Sequence, residues 1–260
     1  MKMLEINKIY NEDCLIGLKK LDSDIVDLTV TSPPYDDLRK YNGYSFDFDA
    51  ISYELFRVTK PGGVLVWVVG DKTKNGSETG TSFKQALQFM KVGFKLHDTM
   101  IFEKTNPIPQ NHNRYEQCFE YMFVFSKGKP STFNPIKVPT KNAGKVFNWG
   151  DRKTVMDDNQ CRRDRTTDLY TVKSEKIHNN IFTYSIGGGK SGHPAVFPEQ
   201  LAKDHILSWS NPGDLILDPF IGSGTTAKAA IELDRNYIGF EISKEYCDIA
   251  EERLRGSEKV

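Results

Sequence analysis

Two short segments of the chain gather groups capable of chemistry. Ser32-Pro33-Pro34-Tyr35 places a hydroxyl, backbone carbonyls and an aromatic ring on a stiff corner. Successive prolines fix the backbone there and force extended geometry on the residue before them. Such a corner offers hydrogen-bond acceptors to a donor group and a flat ring to stack on it. Asp218-Pro219-Phe220-Ile221-Gly222-Ser223-Gly224-Thr225-Thr226 is instead a tight glycine turn through which a ligand can approach the main chain. A helix that follows directly turns its N–H groups and positive end toward that ligand. Glu241 lies 19 residues beyond Gly222, a spacing at which a carboxylate can accept hydrogen bonds from ribose hydroxyls. Taken alone, Gly222-x-Gly224-x-x-Ala227 also fits the loose dinucleotide-binding pattern, and a turn serving only close helix–strand packing has the same sequence.

Each segment closes a β-branched or aliphatic run, Asp24 to Val30 and Leu215 to Leu217. Each is therefore expected where a buried strand leaves a sheet, the place where open α/β sheets bind ligands. Leu4 to Ile9 reads as a strand, and Leu15 to Leu21 as a short helix after Asn11-Glu12-Asp13. Ala50 to Val58 reads as a helix stopped by Lys60-Pro61-Gly62-Gly63, and Val64 to Val69 as a strand covered on both faces. Ser82 is placed to cap a helix whose Phe83, Ala86, Leu87 and Met90 share one face, with strands following at Leu96 to Phe102 and Tyr121 to Phe125. Between Gly128 and Gly192 the periodicity fades, leaving a short strand at Phe182 to Ile186. A helix from Pro198 to about Trp209 restores the rhythm, with strand Asp214 to Leu217, helix Thr225 to Leu233, strand Tyr237 to Phe240 and a helix from Ser243 to Leu254. Alternating strands and helices predict an α/β fold around a largely parallel sheet.

A length of 260 residues accommodates one α/β domain with an insertion. The four cysteines, Cys14, Cys118, Cys161 and Cys247, are scattered without a Cys-x-x-Cys pair, which argues for reduced thiols and against a disulfide framework or zinc site. Met1 to Tyr10 lacks the apolar core of a signal peptide, and no apolar stretch approaches the ~18 residues of a membrane span. A cytoplasmic protein without a membrane partner is expected. The net charge of zero conceals a division: Ser126 to Lys190 holds 13 Lys and Arg against 6 Asp and Glu, so it carries +7 and the remainder −7. That basic segment has the electrostatic footprint of a phosphate-binding surface, with Arg162, Arg163 and Arg165 as its densest part.

In combination, Thr31-Ser32-Pro33-Pro34-Tyr35 and the complete Asp218-to-Thr226 turn resemble the paired signature of DNA amino-methyltransferases. Their order, with the tetrapeptide first, the basic segment next and the glycine turn last, resembles the β class of that family. The resemblance covers about Ile6 to Phe125 and Gly192 to Leu254. It implies a Rossmann-like, circularly permuted sheet that uses S-adenosylmethionine, with the catalytic core in 1–127 and 192–260 and a target-recognition insertion at 128–191. It implies double-stranded DNA as substrate, no metal, and room for a cognate restriction endonuclease as companion. By the same resemblance Thr31, Asp218, Phe220, Gly222, Ser223, Gly224, Thr225 and Thr226 form the donor site, and Glu241 holds the ribose. Asp13 and Cys14 fall on the adenine side. His193 and Phe197, in His193-Pro194-Ala195-Val196-Phe197-Pro198, line the methionine end, His193 without a proton-transfer role. Asp218 has a competing structural reading, since its side chain can organise the turn through the local backbone.

The chemistry implied is methylation of an exocyclic amine, whose nitrogen lone pair is delocalised into the base ring. Acceptors for both amine hydrogens favour a tetrahedral nitrogen; the Ser32 oxygen and the Pro33 carbonyl can supply them, with Pro34 stiffening the corner and Tyr35 stacking on the flipped base. Cytosine-N4 enzymes of this family usually carry Ser at the first position of the tetrapeptide, and adenine-N6 enzymes Asp or Asn. Ser32 therefore points to cytosine N4, with adenine N6 as the alternative. Carbon-5 methylation is disfavoured, because it typically uses a Pro-Cys nucleophile and no cysteine here follows a proline. Protein glutamine methyltransferases typically have Asn-Pro-Pro-Tyr with the donor motif ahead of it. A nicotinamide oxidoreductase leaves Ser32 to Tyr35 unexplained, and the 36 residues after Gly224 do not hold its second half. A catalytically silent DNA-binding homologue would lack a site residue, and none is missing.

Overall fold

Val64 to Val69 form an unbroken apolar run that is buried throughout, and the sheet is built around it. The computed structural model describes residues 4–34, 46–107, 113–148, 169–185 and 198–257. In chain order the first elements are β1 (Lys8–Asn11), α1 (Cys14–Leu18), β2 (Val26–Thr31), α2 (Phe48–Val58), β3 (Thr59–Val69), a hairpin of β4 (Thr73–Lys74) and β5 (Ser77–Glu78), α3 (Thr81–Val92), β6 (Lys95–Lys104) and β7 (Phe119–Ser126). Four short strands follow, β8 (Lys137–Pro139), β9 (Val146–Asn148), β10 (Leu169–Thr171) and β11 (Glu175–Ile177). The chain closes with β12 (Ile181–Tyr184), α4 (Glu199–Trp209), β13 (Leu215–Asp218), α5 (Thr225–Glu232), β14 (Asn236–Glu241) and α6 (Lys244–Ser257).

The chain forms two compact units, one running to Asn134 and resuming at Asn180, the other Pro135–Asn179. The first contains an eight-stranded sheet in the order β1-β14-β13-β2-β3-β7-β6-β12. Only β7 runs antiparallel to its neighbours. Alternation along β3 separates two cores, as a strand period of two residues requires. Val64, Val66 and Val68 pack with Leu28, Val30, Ile216, Leu201 and Ile206. Leu65, Trp67 and Val69 pack with Leu18, Leu55, Phe89, Phe125 and Phe240. Helices α1 to α3 thus cover one face and α4 to α6 the other. From β2 the chain crosses to β3, and from β13 it crosses to β14 in the opposite direction. The border between the adjacent strands β13 and β2 is therefore the topological switch point, the crevice where such sheets place ligands. Both chemical segments emerge there.

Two local expectations are corrected. The face of α3 expected from its apolar spacing is outward, with Phe83 50%, Leu87 66% and Met90 46% exposed. Of that face Ala86 alone is buried, and Ser82, Gln85 and Phe89 are buried with it. Polar anchors set this rotation: Asp71 at the end of β3 accepts from the Ser82 N–H (3.1 Å) and hydroxyl, and the buried Trp67 Nε1 donates to Gln85 (2.8 Å). Ser82 consequently does not cap α3; Gly80, at φ +63°, precedes its first turn. The second correction concerns Pro61-Gly62-Gly63, which does not separate helix from strand but lies within β3 as a register irregularity. Gly62 takes φ +84° there, and its N–H donates to the Lys127 carbonyl at 2.7 Å. No helix of the described residues is long and apolar enough to cross a membrane.

Candidate active site

Leu217 of β13 lies beside Thr29 of β2 in parallel register, so the residues that follow each strand leave the sheet side by side. The buried hydroxyl of Thr31 donates to Asp218 Oδ1 at 2.6 Å, and the Phe220 N–H donates to the same oxygen at 3.0 Å. Thr226, in the first turn of α5, donates to Asp218 Oδ2 at 2.6 Å. One carboxylate therefore ties the base of the proline corner to the glycine turn and to the helix behind it. Burial pushes the Asp218 carboxyl up to about 6, while Thr226, Thr31 and the Phe220 N–H act in the opposite direction. Both of its oxygens are engaged inside the protein, so Asp218, Thr31 and Thr226 brace the two segments against each other. Directly beyond Thr31, Ser32 is half-buried, Pro33 buried and Pro34 half-buried.

The glycine turn is held from two sides. Glu241, at the tip of β14, accepts from the Gly222 N–H through Oε2 (3.1 Å) and from the Ser243 N–H through Oε1 (2.8 Å). These two bonds fix the carboxylate between the glycine turn and the start of α6. Arg253 of α6 donates from Nη1 to the Ser223 carbonyl (2.6 Å) and hydroxyl (2.9 Å). Gly224 has φ +82°, and a Cβ there would lie 2.9 Å from Cβ of Ala250. The side-chain space at Gly224 is thus taken by α6, which by itself requires a glycine at this position. Thr225 follows as the first residue of α5, whose N-terminus has no side-chain cap. Arg253 carries no local signal in the sequence; it shares a helix face with Ala250, three residues earlier.

Next along the sheet edge, Asn11 of β1 donates to the carbonyls of Glu241 (2.9 Å) and Ile242 (3.0 Å). Asp13 caps α1 through Oδ1, accepting from the N–H groups of Leu15 (2.9 Å) and Ile16 (3.2 Å). Cys14 is buried, and burial pushes its thiol up to about 12 with Asp13 adding to the rise. Its thiol therefore stays protonated at neutral pH. The half-buried Phe220 stands against Trp67 (ring centroids 6.1 Å) and Phe46 (5.7 Å). Phe46, which the sequence reading missed, is 39% exposed and extends this aromatic wall outward. Tyr35, His193, Phe197, Arg162, Arg163 and Arg165 lie outside the described residues.

The groups present fit a polar nucleoside-type ligand: a carboxylate for hydroxyls, an uncapped helix N-terminus and an aromatic wall. The N6/N4 DNA methylase family model matches residues 26–252. The orphan methyltransferase M.BamHII of Bacillus amyloliquefaciens is 57% identical over 240 residues, covering 88% of this chain and 89% of the relative. The type II methyltransferase M.BglII of Bacillus subtilis is 31% identical, covering 96% of this chain and 69% of the relative. Among solved structures, the M1.HpyAVI–SAM complex superimposes with a TM-score of 0.65 at 25% identity, over 95% of this chain and 98% of that one. The cytosine-N4-specific PvuII DNA methyltransferase, at 20% identity, shares the fold with a TM-score of 0.70 over 97% of this chain and 87% of that one. Family match, sequence relatives and sheet topology agree, and the chain belongs to the N6/N4 DNA methylase family.

Proposed function

We propose that this protein transfers a methyl group from S-adenosylmethionine to the exocyclic amine of a base in double-stranded DNA, with cytosine N4 as the acceptor. The carrying observation is the Thr31–Asp218–Thr226 bridge, which fixes the proline corner beside the glycine turn at the switch point of the sheet. When bound, S-adenosylmethionine supplies an electrophilic methyl on a sulfonium. The chain's part is to hold the nucleophile in line with it. Ser32 and the Pro33 carbonyl accept the amine hydrogens, and the stiffness of the double proline keeps those acceptors from following the amine as it pyramidalises. Tyr35 stacks on the flipped base. Glu241 takes the donor's ribose hydroxyls, Asp13 and Cys14 stand on the adenine side, and His193 and Phe197 close the methionine end. The assignment to cytosine rests on Ser32. The core is assigned to 1–127 and 192–260 and target recognition to 128–191, and a DNA substrate fits a cytoplasmic enzyme.

Replacing Glu241 with alanine is expected to weaken S-adenosylmethionine binding by about 1–3 kcal/mol, the range for a lost hydrogen bond to a charged group. Because Glu241 also orders Gly222 and Ser243, calorimetry should be paired with thermal unfolding. Unchanged donor affinity in the folded variant would remove Glu241 from the donor site. Transfer of labelled methyl from S-adenosylmethionine to unmethylated plasmid DNA tests the activity itself. Label recovered in protein and not in DNA would overturn the proposal.

A further inference from the structure

The compact unit Pro135–Asn179 contains no buried residue among those described. Strand β8 pairs antiparallel with β11, and β9 with β10. Hydrogen bonds from Thr140 N to Ser174 O (2.8 Å), Gly144 N to Val172 O (2.9 Å) and Val172 N to Lys145 O (2.9 Å) join the two pairs. The result is one two-stranded ribbon interrupted by the turn at Thr140–Lys145. On β9 and β10, Phe147 lies directly opposite Tyr170, so their rings share a face. Both are open to solvent, at 45% and 42% exposure, and Val146 (56%) and Leu169 (70%) are exposed on the opposite face. The described part of the unit carries five lysines, Lys137, Lys141, Lys145, Lys173 and Lys176, against one acid, Glu175.

A two-stranded ribbon that is apolar at its surface on both faces gains little from water and is marginal alone. Its width matches the major groove of duplex DNA, which admits either a helix or such a ribbon. Its charge suits a polyanion. We infer that this ribbon enters the major groove, with Phe147, Tyr170 and their aliphatic neighbours against base edges and Lys145 and Lys173 on flanking phosphates. Aliphatic and aromatic side chains meet thymine methyl groups there, and lysines fix register on the backbone. The inference rests on the reading of the protein as a DNA methyltransferase and deepens it by naming the element that reads sequence.

Two exposed-site variants of the full chain test it, each first matched to wild type by circular dichroism. Lys145→Glu/Lys173→Glu, titrated against a mixed-sequence 30-base-pair duplex, should lower the magnitude of the slope of log affinity against log salt by about two, at about 0.9 per phosphate contact. Phe147→Ala/Tyr170→Ala should leave that slope in place and reduce kcat/KM on unmethylated plasmid DNA by about tenfold or more, with methylation spreading to positions the wild type ignores. An unchanged slope in the first variant, together with unchanged kcat/KM and positions in the second, overturns the inference while the wild type stays active. The same holds if the aromatic variant only converts a sedimenting dimer to a monomer, since the ribbon then pairs with a second copy. A wild type that binds duplex with the lysine-dependent slope but methylates no DNA overturns the enzymatic reading and leaves the ribbon supported.

Discussion

Alanine at position 32 is expected to slow methyl transfer tenfold or more at saturating donor and DNA, with S-adenosylmethionine affinity close to that of wild type. The hydroxyl of Thr31 is committed to Asp218, so the proline corner has the Ser32 hydroxyl and the Pro33 carbonyl left to offer an amine. Ser32→Ala deletes one of these acceptors at the nitrogen where charge develops. Removing one preorganised partner at such a position costs roughly 10²–10³ in rate in other enzymes, and a tenfold loss corresponds to about 1.4 kcal/mol. Ser32→Thr retains the oxygen and should recover part of the rate. Single-turnover transfer of labelled methyl reads the effect, and calorimetry reads the donor. A fall in donor affinity parallel to the fall in rate would mean that the corner had collapsed, and would contradict the assigned role.

Removing the Asp218 carboxylate has the largest expected effect on the fold. Asp218→Ala strands the Thr31 and Thr226 hydroxyls and the Phe220 N–H without their acceptor in a buried site. A loss of about 3–5 kcal/mol follows if each stranded donor costs roughly 1–3 kcal/mol and relaxation recovers part of it. Asp218→Asn keeps the shape and isolates the charge. In the fold, burial pushes this carboxyl up from an ordinary 3.8 to about 6. A raised acid pKa means the folded chain keeps a proton that the unfolded chain has released, so this group's contribution to stability falls as pH rises from about 4 to about 6. The buried His205 acts in the opposite sense: burial lowers it from 6.5 to about 4, the unfolded chain takes up the proton first, and stability rises with pH across that window. Denaturant unfolding between pH 4 and 7 should show a steeper rise for Asp218→Asn than for wild type, and a fall for His205→Gln. Parallel profiles for all three proteins would contradict both titrations.

The strand ends were legible because Thr31 and Asp218, the last ladder positions of β2 and β13, are followed within two residues by Pro33 and Pro219, which have no N–H to donate. Ser243 was legible as a cap for the same local reason, and its hydroxyl does accept from the Tyr246 N–H at 3.4 Å. What the sequence left open was decided between distant segments. Asp218 had both a ligand-binding and a turn-building reading, and one of its partners, Thr31, lies 187 residues away. The rotation of α3 was illegible because Asp71 and Trp67, outside the helix, choose the face through Ser82 and Gln85. The motif gives no sign that Gly224 also has a packing reason, the approach of Ala250 from α6. Local pattern located the site; long-range hydrogen bonds built it.

Mass spectrometry of the reaction product tests the account most directly. Unmethylated plasmid DNA is incubated with the protein and S-adenosylmethionine carrying an isotopically labelled methyl, then digested to nucleosides. Ser32, Pro33 and the turn they face predict label in N4-methylcytosine. Label in N6-methyladenine alone would reverse the base assigned from Ser32 and leave amino methylation standing. Label in 5-methylcytosine would contradict the account, because that product requires attack on a ring carbon and nothing described at the proline corner supplies the nucleophile.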